Sequence, residues 1–206
     1  MNYLAHLYLS PPGEDAMLGS LLGDFVKGPL TNTEVSERYS ADITRAIELH
    51  RRIDSFTDSH PVVTGSRNRV SSSRRRFAGI MIDMFYDHFL AKYWDEFHHH
   101  PLDVFTGDIY GVLTRRHAEL PDRLQHTARF MVDLDWLGSY AQMESVGTAL
   151  NRMSQRLRRE NTLVDSAEEL ESHYSAFESD FRRFMPDVIN FAQQSASRLL
   201  LPRSTA

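Results

Sequence analysis

Apolar residues recur three and four apart along most of the chain, and no run of alternating β-branched residues interrupts them, so the pattern predicts an all-α protein. Residues 2–9 read as a short apolar helix that Pro11-Pro12-Gly13 ends. A second helix is expected over about 14–27, stopped by Gly28-Pro29. It carries Gly19 and Gly23. Glycine inside a helix costs about 1 kcal/mol against alanine, so this pair points to tight helix packing or to close approach of another group. A third helix is predicted from about 33 to 57, opened by Thr31 with Glu34 three residues on as a capping box. Periodicity breaks at Ser59-His60-Pro61 and restarts as a basic segment to about 75, followed by the most apolar helix of the chain over 76–96. Past Pro101, shorter helices are expected to about 118 and over 121–133, then a helical stretch over 135–159. An amphipathic helix over 164–184 shows Leu170, Tyr174, Phe177, Phe181 and Phe184 on one face. Pro186 is expected to start a last helix, and the tail after about 201 to fray. With no internal repeat and no long linker, residues 1–206 are expected to form one domain, a compact helical bundle.

Four places break the apolar faces with polar residues. His6 lies within Leu4-Ala5-His6-Leu7, and Asp24 follows Leu21-Leu22-Gly23. His50 and Asp54 continue the stripe begun by Ile43, Ala46 and Ile47. Asp83, Asp87 and His88 sit in the least polar helix. Residues four apart on a helix lie one above the other, so His50/Asp54 and Asp83/Asp87 can each aim two side chains at one spot. Two stacked carboxylates repel, and burying either one alone costs several kcal/mol. A divalent cation relieves both penalties, and mixed imidazole and carboxylate donors suit Mn²⁺, Fe²⁺, Zn²⁺ or Mg²⁺. Simpler accounts exist for single members: Asp24 can cap a helix or pair with Arg51, and Asp58 can cap the segment at Pro61. The run His98-His99-His100 stands before Pro101 and reads as an incidental polar loop.

Composition narrows the class. An apolar share of 41% with 11% aromatics is that of a globular protein. A net charge of −5 argues against nucleic acid as the partner. The absence of cysteine removes disulfides, thiolate zinc sites and cysteine nucleophiles, and fits a reducing cytoplasm. No run approaches the ~20 apolar residues of a membrane span, and MNYLAHLYLS lacks a basic leader, so neither a membrane nor a signal peptide is expected. Against the acidic background, PVVTGSRNRVSSSRRR over 61–76 holds Arg67, Arg69, Arg74, Arg75 and Arg76 and no acid. Such charge separation suits docking of an acidic partner.

The opening MNYLAHLYLS, LLGDFVKG at 21–28, HRRIDSFTDSHP at 50–61 and DMFYDHFLAKYW at 83–94 together resemble the acyl carrier protein phosphodiesterases. The likeness continues more weakly around Trp136 and through LESHYSAFESDFRRFMP at 170–186, and so spans nearly the whole chain. The resemblance implies a divergent, HD-phosphohydrolase-like helical enzyme. Such an enzyme uses a divalent metal, Mn²⁺ first and Mg²⁺ or Fe²⁺ as alternatives, to hydrolyse the phosphodiester joining 4′-phosphopantetheine to a serine of holo-acyl carrier protein. The His-Asp dipeptide of ordinary HD enzymes is absent here, replaced by Asp87-His88 in reversed order and by His50/Asp54 split by a turn. Taken with the spacing, Asp24, His50, Asp54, Asp87 and His88 are expected at the metal. Asp83 is expected as a ligand or orienter, His6 as a ligand or proton donor, Arg51 as a phosphate clamp, and the five arginines as the docking surface. The alternative is a metal-dependent phosphohydrolase of a nucleotide or another small phosphodiester.

Overall fold

The computed structural model describes residues 1–157 and 159–200, and among them every regular element is helical. The elements are α1 (Tyr3–Tyr8), α2 (Glu14–Leu22), α3 (Thr33–Arg38), α4 (Ala41–Ser59), α5 (Pro61–Arg69), α6 (Ala78–Lys92), α7 (Trp94–Phe97), α8 (Leu102–Arg115), α9 (Asp122–Asp133), α10 (Trp136–Ser139), α11 (Met143–Arg156), α12 (Ala167–Ser172) and α13 (Tyr174–Leu200). The all-α expectation holds. The expected frayed tail lies outside the described residues. No described helix is long and apolar enough to cross a membrane.

α6 is the hub. Met81, Ile82, Phe85, Tyr86, Phe89 and Leu90 are all fully enclosed, as an apolar helix without a wet face requires. Phe177, Phe181 and Phe184 of α13 pack on it, with ring centroids 5.3 Å apart for Phe85–Phe177 and 5.6 Å for Phe89–Phe181. Each such buried aromatic contributes about 1.5–3 kcal/mol. α1 lies between α2 and α6, α4 packs between α2 and α13, and α5 and α11 complete the cover of α6.

Several predicted boundaries move for identifiable reasons. α2 stops at Leu22, with Gly23 as its C-cap, so Asp24 falls just past the helix end. The expected 33–57 helix divides into α3 and α4, because Ser40 provides a better cap than Thr31: its hydroxyl accepts from Ile43 N at 3.1 Å. His60 caps α5, and Pro61 takes its first position, where no N–H is needed. The 76–96 stretch breaks at Tyr93 into α6 and α7. The 135–159 stretch divides into α10 and α11, with Asp135 in left-handed backbone at φ 42°. Pro186 starts no new helix and lies inside α13 on the exposed side, while Phe177, Phe181, Phe184, Met185, Val188 and Ala192 keep the helix bound to the core.

Candidate metal centre

Close packing of α2 on α4 creates the site. A Cβ at Gly19 would collide with the Ile43 carbonyl and Ala46, and a Cβ at Gly23 would fall within the His50 ring. The two glycines therefore admit, respectively, the backbone of α4 and the His50 imidazole. His50 is buried, and its Nδ1 donates to the Ser20 carbonyl at 2.8 Å. That bond fixes the ring and turns Nε2 toward two carboxylates, Asp54 Oδ2 at 3.1 Å and Asp24 Oδ1 at 3.7 Å.

His6 arrives from α1. Its ring stacks on His50 with centroids 3.7 Å apart, and its Nε2 lies 3.0 Å from Asp54 Oδ1. Asp54 thus offers one oxygen to each histidine. Ligand atoms of His6, His50 and Asp54 all lie within 4.8 Å of one another, a grouping that no other His and carboxylate residues match among those described. The Met1 ammonium sits beside them, 3.0 Å from Asp83 Oδ1 and 3.7 Å from Asp54 Oδ1.

The protonation balance follows from this crowding. Burial pushes His6 down to about 4, more than its bond to Asp54 restores. Burial also disfavours the His50 cation, but the Asp24 and Asp54 carboxylates outweigh it and lift His50 to about 9. Asp54 feels the penalty of burial too, yet the two imidazoles hold its carboxyl well below the usual range, and His50 lowers Asp24 in the same way. His50 Nε2 faces two carboxylates and must carry a cation between them, either a proton or a metal. Donor atoms 3.0 and 3.1 Å apart match the spacing of adjacent ligands in an octahedral shell with bonds of about 2.1 Å. Two imidazole nitrogens, a carboxylate partly open to solvent and the more exposed Asp24 beside it therefore fit a divalent ion.

Other expected site residues are placed differently. Asp87 is fully buried, and its carboxyl accepts from Leu4 N at 2.9 Å and Ala5 N at 3.1 Å, the first turn of α1. Burial lifts it to about 7 against the lowering effect of those bonds. His88, one residue on, points about 100° away around the helix. Its Nδ1 donates to the Tyr140 carbonyl at 2.8 Å, and its Nε2 accepts from the Tyr174 hydroxyl at 2.9 Å. Neither joins His6, His50 and Asp54. Asp83 borders the group through the Met1 ammonium. Arg51 spends its guanidinium on the Val26 and Gly28 carbonyls, at 2.7 and 2.8 Å, and ties down the turn after α2.

The arginine stretch is largely paired. Arg67 meets Asp58, which thereby lies outside the metal group, Arg69 meets Asp180 at 3.2 Å, and Arg74 meets Glu168 at 3.2 Å. Arg75 binds the Val70 and Asn68 carbonyls, and Arg76 lies over the Phe77 ring at 5.8 Å. His98 accepts from His100 N at 3.1 Å within the loop before Pro101. The Ser20 carbonyl and the Met1 ammonium were not expected; only the Gly19/Gly23 spacing hinted that α2 and α4 meet closely.

The fold and this cluster define a helical protein with a histidine–carboxylate centre suited to a divalent metal. The family model described as acyl carrier protein phosphodiesterase matches residues 1–188, and the chain belongs to that family. Relatives named acyl carrier protein phosphodiesterase are 34% identical in Photorhabdus laumondii, over 94% of this chain and 96% of the relative, and in Pectobacterium atrosepticum, over 94% and 98%. A relative of that name in Escherichia coli O6:H1 is also 34% identical, over 95% of this chain and all of its own length. No solved structure matches the chain.

Proposed function

We propose that this protein hydrolyses the phosphodiester linking 4′-phosphopantetheine to serine of holo-acyl carrier protein, releasing apo-carrier protein and 4′-phosphopantetheine, in the cytoplasm. Family membership over residues 1–188 supports the reaction, and the His6–His50–Asp54 cluster is the observation that carries the mechanism. His6, His50 and Asp54, with Asp24 beside them, would hold the metal, Mn²⁺ in the first instance. A divalent ion there would neutralise charge on the phosphodiester oxygens and acidify the attacking water.

The chain's own groups prepare that chemistry. The Ser20 carbonyl keeps one proton of His50 on Nδ1, so a metal at Nε2 would displace the proton that Asp24 and Asp54 hold there. The buried His6 remains neutral at physiological pH, as a ligand must. Asp24 and Asp54 are the open edge of the site, with side chains 54% and 39% exposed, and so face an arriving substrate. The test is intact-mass measurement of holo-acyl carrier protein incubated with the enzyme, with and without EDTA and added Mn²⁺. Metal-dependent loss of the phosphopantetheine mass is expected. Equal loss with EDTA would remove the metal from the mechanism, and faster turnover of small free diesters than of the carrier would redirect the substrate assignment.

A further inference from the structure

We propose that Asp87 is a positioning residue that sets His6 in the cluster by anchoring the first turn of α1; its catalytic consequence rests on the metal-centre reading above. α1 has only six residues, and its N-cap Asn2 gives it no side-chain cap. So short a helix does not hold itself in water, and its leading N–H groups need outside acceptors. Asp87, from the enclosed helix α6, accepts from Leu4 N at 2.9 Å and Ala5 N at 3.1 Å. The next residue is His6, whose buried ring must reach within 3.0 Å of Asp54 and stack at 3.7 Å on His50. One turn earlier on α6, Asp83 holds the Met1 ammonium at 3.0 Å. The two carboxyls, four residues apart, thus grip the start of the chain and transfer the rigidity of α6 to it. An apolar residue at 87 would fill the space and strand two buried N–H donors, at a cost of about 1–3 kcal/mol each, released by shifting α1.

Two substitutions test this in the full-length protein. Asp87→Ala removes both acceptors. Asp87→Asn keeps one acceptor and aims an amide N–H at the other donor, and it decides the matter alone where the alanine variant does not fold. In metal-free protein labelled with ¹⁵N-histidine, the ring signals of His6 should shift in both variants, more in alanine, while those of His60 and His126 stay in place. Mn²⁺ affinity, read by electron paramagnetic resonance of the free ion, should fall about 10- to 100-fold. In a His6→Ala background, Asp87→Ala should add no further loss, because it acts through the ring already removed. Unmoved His6 signals in the variants, or Mn²⁺ losses that multiply in the double mutant, would overturn the proposal. If the wild-type protein itself bound no Mn²⁺, the metal reading would fail while the ring signals still decided the role of Asp87.

Discussion

Gly23 marks the tightest constraint on the site at the scale of single residues. A methyl group there would occupy the His50 ring, so Gly23→Ala should displace the imidazole, break its bond to Ser20 and lower Mn²⁺ affinity at least about tenfold with helix content unchanged by circular dichroism. Asp87 gives a pH prediction. Its folded-state value is raised from 3.8 to about 7, so its contribution is complete below about 4 and is lost as pH rises to 7. The stability of wild type relative to Asp87→Asn should therefore fall by about 2–4 kcal/mol across that window and level off above it, measured by urea denaturation through a pH series. The i,i+4 spacing made His50/Asp54 legible as a pair in the sequence. Asp83/Asp87 share that spacing, yet their carboxyls turn to different partners, the Met1 ammonium and the Leu4 and Ala5 backbone N–H groups. Backbone partners such as Ser20 O carry no side-chain signal, which is why they escape a reading of residue types.

Among the elements, α4 matters most to the site because it carries both His50 and Asp54. Its start depends on Ser40, whose hydroxyl accepts from Ile43 N and donates to Asp15 at 2.5 Å. Ser40→Ala should cost about 1 kcal/mol of stability by urea denaturation while leaving Mn²⁺ affinity within twofold of wild type, since the cap lies nearly three turns from His50. Helix existence was legible wherever the apolar stripe was long, as in α4, α6 and α13. Helix ends were legible only where a breaker also lacked tertiary support. Pro186 shows the difference: it lacks an N–H, yet the aromatic face of α13 continues across it, and burial of Phe184, Met185 and Val188 outweighs a penalty of about 3 kcal/mol.

Charge is arranged on the whole molecule more selectively than the run of arginines suggests. Over 61–76 there are five arginines and no acid, but distant segments supply acids to part of the run: α13 brings Asp180 to Arg69, and the start of α12 brings Glu168 to Arg74. Those pairings hold α5 and the turn before α6 to the C-terminal helices; the exposed Arg74–Glu168 pair contributes little to stability, whereas Arg69 compensates the buried Asp180. Arg75 and Arg76 are exposed and have no carboxylate partner among the described residues, so of the five arginines in this run these two are left to meet an acidic partner. Long-range attraction of this kind acts on encounter and falls with salt. Arg75→Glu with Arg76→Glu should thus raise KM for holo-acyl carrier protein about tenfold, leave kcat within twofold, and flatten the dependence of kcat/KM on ionic strength. Arg69→Glu should instead appear as a lower melting temperature, because it sets a carboxylate against the buried Asp180. A doubly reversed variant with unchanged KM would move the docking surface elsewhere on the molecule.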